Sequence, residues 1–133
     1  MSAQLTSSDL IRLTEIAKNI RINVIKMLYQ AGSGHPAGSL SMVDILTFLY
    51  FNLLKYQPDN PEWKERDYLL LSNGHHCPAL YASLAEAGYF PIEELSTLRK
   101  MDSRLQGHPQ KNLLPGVEVS AGSLAQGISQ AVG

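Results

Sequence analysis

The stretch DYLLLS, residues 67–72, restricts the fold more than any other feature of this chain. Leu69, Leu70 and Leu71 stand together with no polar residue between them. A strand with one face in water alternates apolar and polar residues, whereas a strand covered on both faces does not. The run therefore reads as a buried strand of a parallel sheet. Asn73-Gly74 ends it with a turn, and helices are needed to cover it.

Helices are what the rest of the sequence offers. Over residues 9–31, Leu10, Leu13, Ala17, Ile20, Val24 and Met27 recur at spacings of three and four, one face of an amphipathic helix. Ser7 or Ser8 can cap its start, and Gly32 can end it. After the glycine-rich turn AGSGHPAGS, residues 31–39, Ser41 with Asp44 three residues on reads as a capping box. It opens a helix to about Leu54, apolar nearly all round and so expected to be buried. Pro78 suits the first turn of a helix through about Ala87, closed by Gly88, and Pro91 that of another from about Ile92 to Lys100. Residues 101–116 read as a long loop, GVEVS as a short extended piece, and AGSLAQGISQAVG as a helix behind a glycine-rich turn. The sum is an α/β pattern, with too few strands to finish a sheet.

Size and charge narrow the function. A chain of 133 residues is long enough to bury a core of its own. A formal net charge of −1, with lysines and arginines scattered, gives no electrostatic case for nucleic acid or an acidic membrane surface. The lone cysteine, Cys77, rules out an internal disulfide and a Cys-rich zinc motif, and it suits a reducing cytosol. MSAQLTSSDL lacks the basic and apolar regions of a secretory signal. The most apolar window, SMVDILTFLYFNLLKY, is too short to span a bilayer. The expectation is a cytoplasmic protein. LAQGISQAVG stops inside an apolar, helix-like pattern, so the sequence reads as a piece of something longer.

All four histidines lie beside glycine-rich turns or at the end of the expected strand: His35 in GSGHPAG, His75 and His76 in SNGHHC, and His108 in QGHPQ. Ligands of open α/β sheets bind at the carboxyl ends of strands, where His75 and His76 are expected. Histidine is also the side chain best suited to moving protons near neutral pH. Any one of the four, alone, reads equally well as a surface histidine bonding backbone. In AGSLAQG, residues 121–127, Gly122 allows close approach of a ligand. Ser123, Leu124 and Ala125 would offer N–H groups at a helix start, a site suited to a diphosphate. GSGHPAG follows a helix rather than a strand and is no dinucleotide fingerprint. No H-x-x-x-H spacing supports zinc.

The segments AGSGHPAGSLSMVDIL, LLLSNGHHCPALYA, GYFPIEEL, SRLQGHPQ and PGVEVSAGSLAQGISQAVG together resemble the N-terminal part of transketolases, in family order over nearly the whole chain. GVEVS followed by Ser123 is most similar to transketolases split into two polypeptides. Single-chain forms usually have a proline there, without the N–H that a serine supplies. The resemblance implies that residues 1–133 are an incomplete diphosphate-binding domain of the α/β thiamine diphosphate-binding fold. It implies transfer of a two-carbon ketol unit from a ketose phosphate to an aldose phosphate, as in the pentose phosphate pathway. His35 matches a histidine that contacts substrate and assists proton transfer, and His108 one that bonds the donor sugar's hydroxyls. His75, Gly122, Ser123 and Leu124 match the positions that bind thiamine diphosphate.

The family's Mg²⁺ motif, Gly-Asp-Gly, would begin soon after residue 133. Its activating glutamate belongs to a pyrimidine-binding domain, in a partner subunit of a dimer-based assembly. The chain alone is therefore expected to be inactive. His76 and Cys77 replace smaller apolar residues of the family, so His76 is expected to face away from the site and Cys77 to be a small buried thiol. Ala37 and Ala125 stand where glycine is common. A non-catalytic assembly piece and a related enzyme such as a dihydroxyacetone synthase are the other readings. A deoxyxylulose phosphate synthase fits less well at GSGHPAG.

Overall fold

The computed structural model describes residues 5–133; residues 1–4, where the stretch read as lacking a leader begins, lie outside it. The long amphipathic helix forms as α1, Ser7–Ala31. Its cap is Thr6 rather than Ser7 or Ser8. Thr6 Oγ1 accepts the Asp9 N–H at 3.2 Å, and the Asp9 carboxylate accepts the Thr6 N–H at 3.1 Å, a complete capping box. Gly32 ends the helix in the left-handed region, with φ 63°. Leu13, Ala17, Ile20, Val24 and Met27 are buried as the spacing predicts, while Leu10, at the start of the stripe, is exposed.

Helix α2 runs Pro36–Phe48 and begins five residues before Ser41. Proline at the first helical position starts it, with His35 as the flanking residue. The expected capping box does not form. Ser41 Oγ donates to the Gly38 carbonyl at 2.8 Å, and Asp44 instead accepts from Arg21 of α1 at 2.6 Å. The α-helix then widens into a π-helical turn, Leu49–Leu53. Only part of this apolar segment is buried: Val43, Leu46 and Tyr50 enter the core, whereas Ile45, Phe48 and Leu53 face outward.

Helix α3, Cys77–Glu86, is preceded by the 3₁₀ turn Gly74–His76. Every residue from Cys77 to Ala85 is buried, because α1 and α2 pack on it. Ile92–Thr97 forms a 3₁₀ helix rather than a longer α-helix. The loop 101–116 is a series of turns held by Leu105 and Leu114, both buried. Helix α4, Gln126–Val132, closes the described chain.

No strand is formed among the described residues, so the expected parallel sheet is not present in them. The physical reason lies in residues 67–72. A strand needs a second strand to complete its ladder, and here the backbone N–H groups of residues 68–72 donate to no other backbone group among the described residues. The side chains nevertheless alternate. Leu69 and Leu71 pack on the helical core, while Arg66, Tyr68 and Leu70 line an open groove of about 820 Å³. The three leucines therefore divide between core and groove. GVEVS likewise forms no ladder, and its Val117 and Glu118 line the far wall of the same groove.

Candidate functional site

Five short segments converge at the N-terminal end of α3. The first is the turn before α2, where Gly34 has φ 139° and a Cβ would overlap Leu28. That close fit fixes the approach to His35. The second is the turn 73–76. The rings of His35 and His75 meet edge-on at 5.1 Å between centroids, and those of His75 and His76 at 4.0 Å. His35 is exposed, while His75 and His76 are half-buried.

His76 therefore does not face away. Its Nδ1 lies 2.6 Å from Asn73 Nδ2, and its Nε2 rests against Gly38 of α2. Burial first, then the neighbouring His75 and His35, hold the His76 imidazole below the usual histidine range. With the Asn73 amide nitrogen as donor, Nδ1 is the acceptor, an arrangement that goes with the tautomer protonated on Nε2.

The third segment is the loop carrying His108. The Cys77 thiol donates to the Gly107 carbonyl at 3.2 Å, and the Tyr81 hydroxyl to the Gln106 carbonyl at 3.0 Å. Burial pushes the Cys77 thiol up to about 12, so it is a neutral donor, the small buried thiol expected from sequence. His108 itself is exposed and stands outside the ring cluster of His35, His75 and His76.

The fourth segment is the turn 121–125. A Cβ on Gly74 would overlap the Ala121 carbonyl, so this turn lies directly on the turn that carries His75. The Ala121 N–H donates to the Pro109 carbonyl at 3.1 Å, which ties the same turn to the residue after His108. A Cβ on Gly127 would come within 2.7 Å of Ser72 Cα, which seats α4 beside the others. Gly122, Ser123 and Leu124 are exposed, and a Cβ on Gly122 would meet nothing within 4 Å. Among the described residues, the N–H groups of 122–125 donate to no other backbone group. Helix α4 starts only at Gln126, after Ala125 with φ 66°, so these donors belong to the turn and not to the helix start. Open space beside free backbone donors is a fit for an anionic group such as a diphosphate.

Arg99, which sequence reasoning missed, supplies the fifth. It has φ 61°, and its Nη1 donates to Ser33 Oγ at 3.2 Å. A Cβ on Gly107 would lie 3.0 Å from its Nε. Arg99 thus bridges the turn before His35 and the loop of His108. No sequence pattern announces this, since the bridge depends on a backbone bend at Arg99 itself. Asn73 was also missed, although its spacing of three from His76 in a turn is a usable signal.

Among the described residues, no group of three His, Cys, Asp or Glu side chains is arranged to hold a metal ion. No helix among the described residues is long and apolar enough to cross a membrane.

The sequence as a whole matches a known domain. Residues 13–133 fit the family model described as transketolase, thiamine diphosphate binding domain. The chain belongs to the transketolase family, in its diphosphate-binding part. It is 46% identical over 127 residues to the 6-deoxy-6-sulfo-D-fructose transketolase subunit SqwG of Clostridium sp. (strain MSTE9), covering 96% of this chain and 46% of that protein. It is 42% identical over 120 residues to transketolase 1 of Escherichia coli (strain K12), covering 90% of this chain and 18% of that one. The transketolase of Leishmania mexicana superimposes with a TM-score of 0.86 at 37% identity, again over 90% of this chain and 18% of that chain. The chain thus spans less than half the length of these relatives.

Proposed function

We propose that this chain forms the diphosphate side of a transketolase-type active site, serving transfer of a two-carbon ketol unit from a ketose phosphate to an aldose phosphate. The observation that carries this reading is the turn 121–125, whose Ala121 lies directly on the turn of His75 and whose N–H groups at 122–125 donate to no other backbone group among the described residues. When bound, thiamine diphosphate supplies the carbanion chemistry of such a reaction. The backbone of Gly122, Ser123 and Leu124 would bind its anionic end, and His75, on the turn that Ala121 packs against, would donate to it. His35, exposed at the rim of the cluster, moves protons on and off a sugar oxygen. His108, on the loop tied to the same turn, hydrogen-bonds a donor-sugar hydroxyl.

The Mg²⁺ that accompanies the diphosphate would be held by ligands from other segments of the assembly. The aminopyrimidine end of the cofactor is held by a pyrimidine-binding domain or a second, C-terminal subunit, in a dimer-based oligomer. The setting is cytoplasmic sugar metabolism of the pentose phosphate type. One relative's name specifies a sulfonated ketose, so a sulfo-sugar donor belongs in the assay beside the phosphorylated one.

The test is a ketol-transfer assay with thiamine diphosphate and Mg²⁺, run on the 133-residue chain alone and with the remaining segments added. The chain alone should be inactive and the completed assembly active; robust turnover by the chain alone would overturn the shared-site reading. In the assembly, His35→Ala lowers kcat much more than cofactor affinity, while His75→Ala weakens cofactor binding by about tenfold. Equal effects of the two on affinity contradict these roles.

A further inference from the structure

We infer that His76 is a positioning residue, whose ring, seated on Gly38, holds the His75 imidazole in place beside the turn 122–125. The inference rests on the cofactor-binding reading of that turn. The His75 ring meets two others, His35 at 5.1 Å and His76 at the shorter 4.0 Å between centroids. His35 is exposed and has an open side to move into, so it cannot confine His75 by itself. His76 can, because it is fixed at three points. Asn73 holds its Nδ1 at 2.6 Å, the 3₁₀ turn holds its backbone through His76 N–H to Asn73 O at 2.9 Å, and α2 closes on its Nε2.

The seat is the most specific part. Gly38 lies in the first turn of α2, where its backbone is ordinary helix and asks for no glycine. Alanine is the better helix former there. What asks for glycine is the imidazole: a Cβ on Gly38 would overlap His76 Nε2, Cδ2 and Cε1. Gly38 and His76 are therefore a size-matched pair across two elements, and loss of either member should release His75.

The pair is tested in the complete cofactor-binding assembly, with thiamine diphosphate as the titrated ligand and Mg²⁺ present. Affinity, kcat at saturating cofactor and thermal unfolding are measured. His76→Ala and Gly38→Ala each weaken thiamine diphosphate binding about tenfold, with kcat at saturation within about twofold of the parent. His76→Phe, which keeps a ring but not the acceptor, recovers most of the affinity. Gly38→Ala lowers the unfolding temperature in the parent but raises it in the His76→Ala background, because the overlap is gone while the helix preference remains.

Unchanged affinity in His76→Ala, or additive losses in the double variant, overturns the inference. If Gly38→Ala alone does not fold, the double variant must fold, and its failure also overturns the pairing. His75→Ala separates the two levels. If it leaves affinity unchanged, the cofactor-binding reading is what fails. If it weakens binding while His76→Ala does not, only the positioning role fails.

Discussion

The thiol of Cys77 is fully buried at the start of α3 and points into the carbonyls of the His108 loop. With burial raising it from 9.0 to about 12, its folded-state value lies above the unfolded one. The stability gained by keeping the thiol neutral is therefore whole below pH 9.0 and is lost as pH rises toward about 12. Native protein should resist alkylation at about pH 8 and label fast in denaturant, read by intact-mass spectrometry. Rapid native labelling would contradict the packing. His76 has the opposite sign. Its folded value is depressed, so stability is whole above pH 6.5 and falls as pH drops through the folded value. Urea unfolding as a function of pH should show this acid limb, and it should be shallower in His76→Phe.

At the scale of elements, α1 was legible because its stripe repeats over many turns and both ends carry cap chemistry. Even so, the cap was placed one or two residues late. Thr6→Ala removes the side-chain half of the box, leaving only the residue-6 N–H on the Asp9 carboxylate, and should cost about 1 kcal/mol, measured by denaturant titration. The start of α2 misled for a physical reason. Ser41 and Asp44 have capping-box spacing, but Pro36 initiates the helix earlier, which leaves Ser41 to bond back to Gly38 and Asp44 to pair with Arg21. The leucine run misled in another way. Its side chains alternate as an extended chain requires, yet the ladder that makes a strand depends on distant residues that no local pattern reveals. The candidate site was more legible than the sheet, because glycine turns and histidines announce themselves. What stayed hidden was the ring contact of His76, which is set by Gly38, 38 positions away in sequence.

Across the whole molecule, one charged link fastens the segment of residues 66–70 to the far wall of the groove. Arg66 Nε and Nη2 reach the two Glu118 carboxylate oxygens at 2.8 and 3.0 Å, with side chains only 8% and 13% exposed. Arg66 Nη1 also donates to Trp63 O, and the guanidinium lies 4.2 Å from the Tyr68 ring centroid. Both side chains are mostly covered by protein yet face the open groove, so removing one leaves the other partly solvated. Because the pair also lines the open groove, Glu118→Ala should cost about 1 kcal/mol, with some dependence on salt, when unfolding is followed in low and high salt. A loss of about 3 kcal/mol, independent of salt, would mean that water is kept from the pair.

The turn 122–125 has one more consequence. Amides without an acceptor exchange their hydrogens for deuterium almost as fast as in a loose peptide, while those inside α3 wait for the helix to open. The protein thus carries two clocks, one fast at the turn and one slow in the helix. Anything anionic that settles on the turn will slow the first and leave the second running as before.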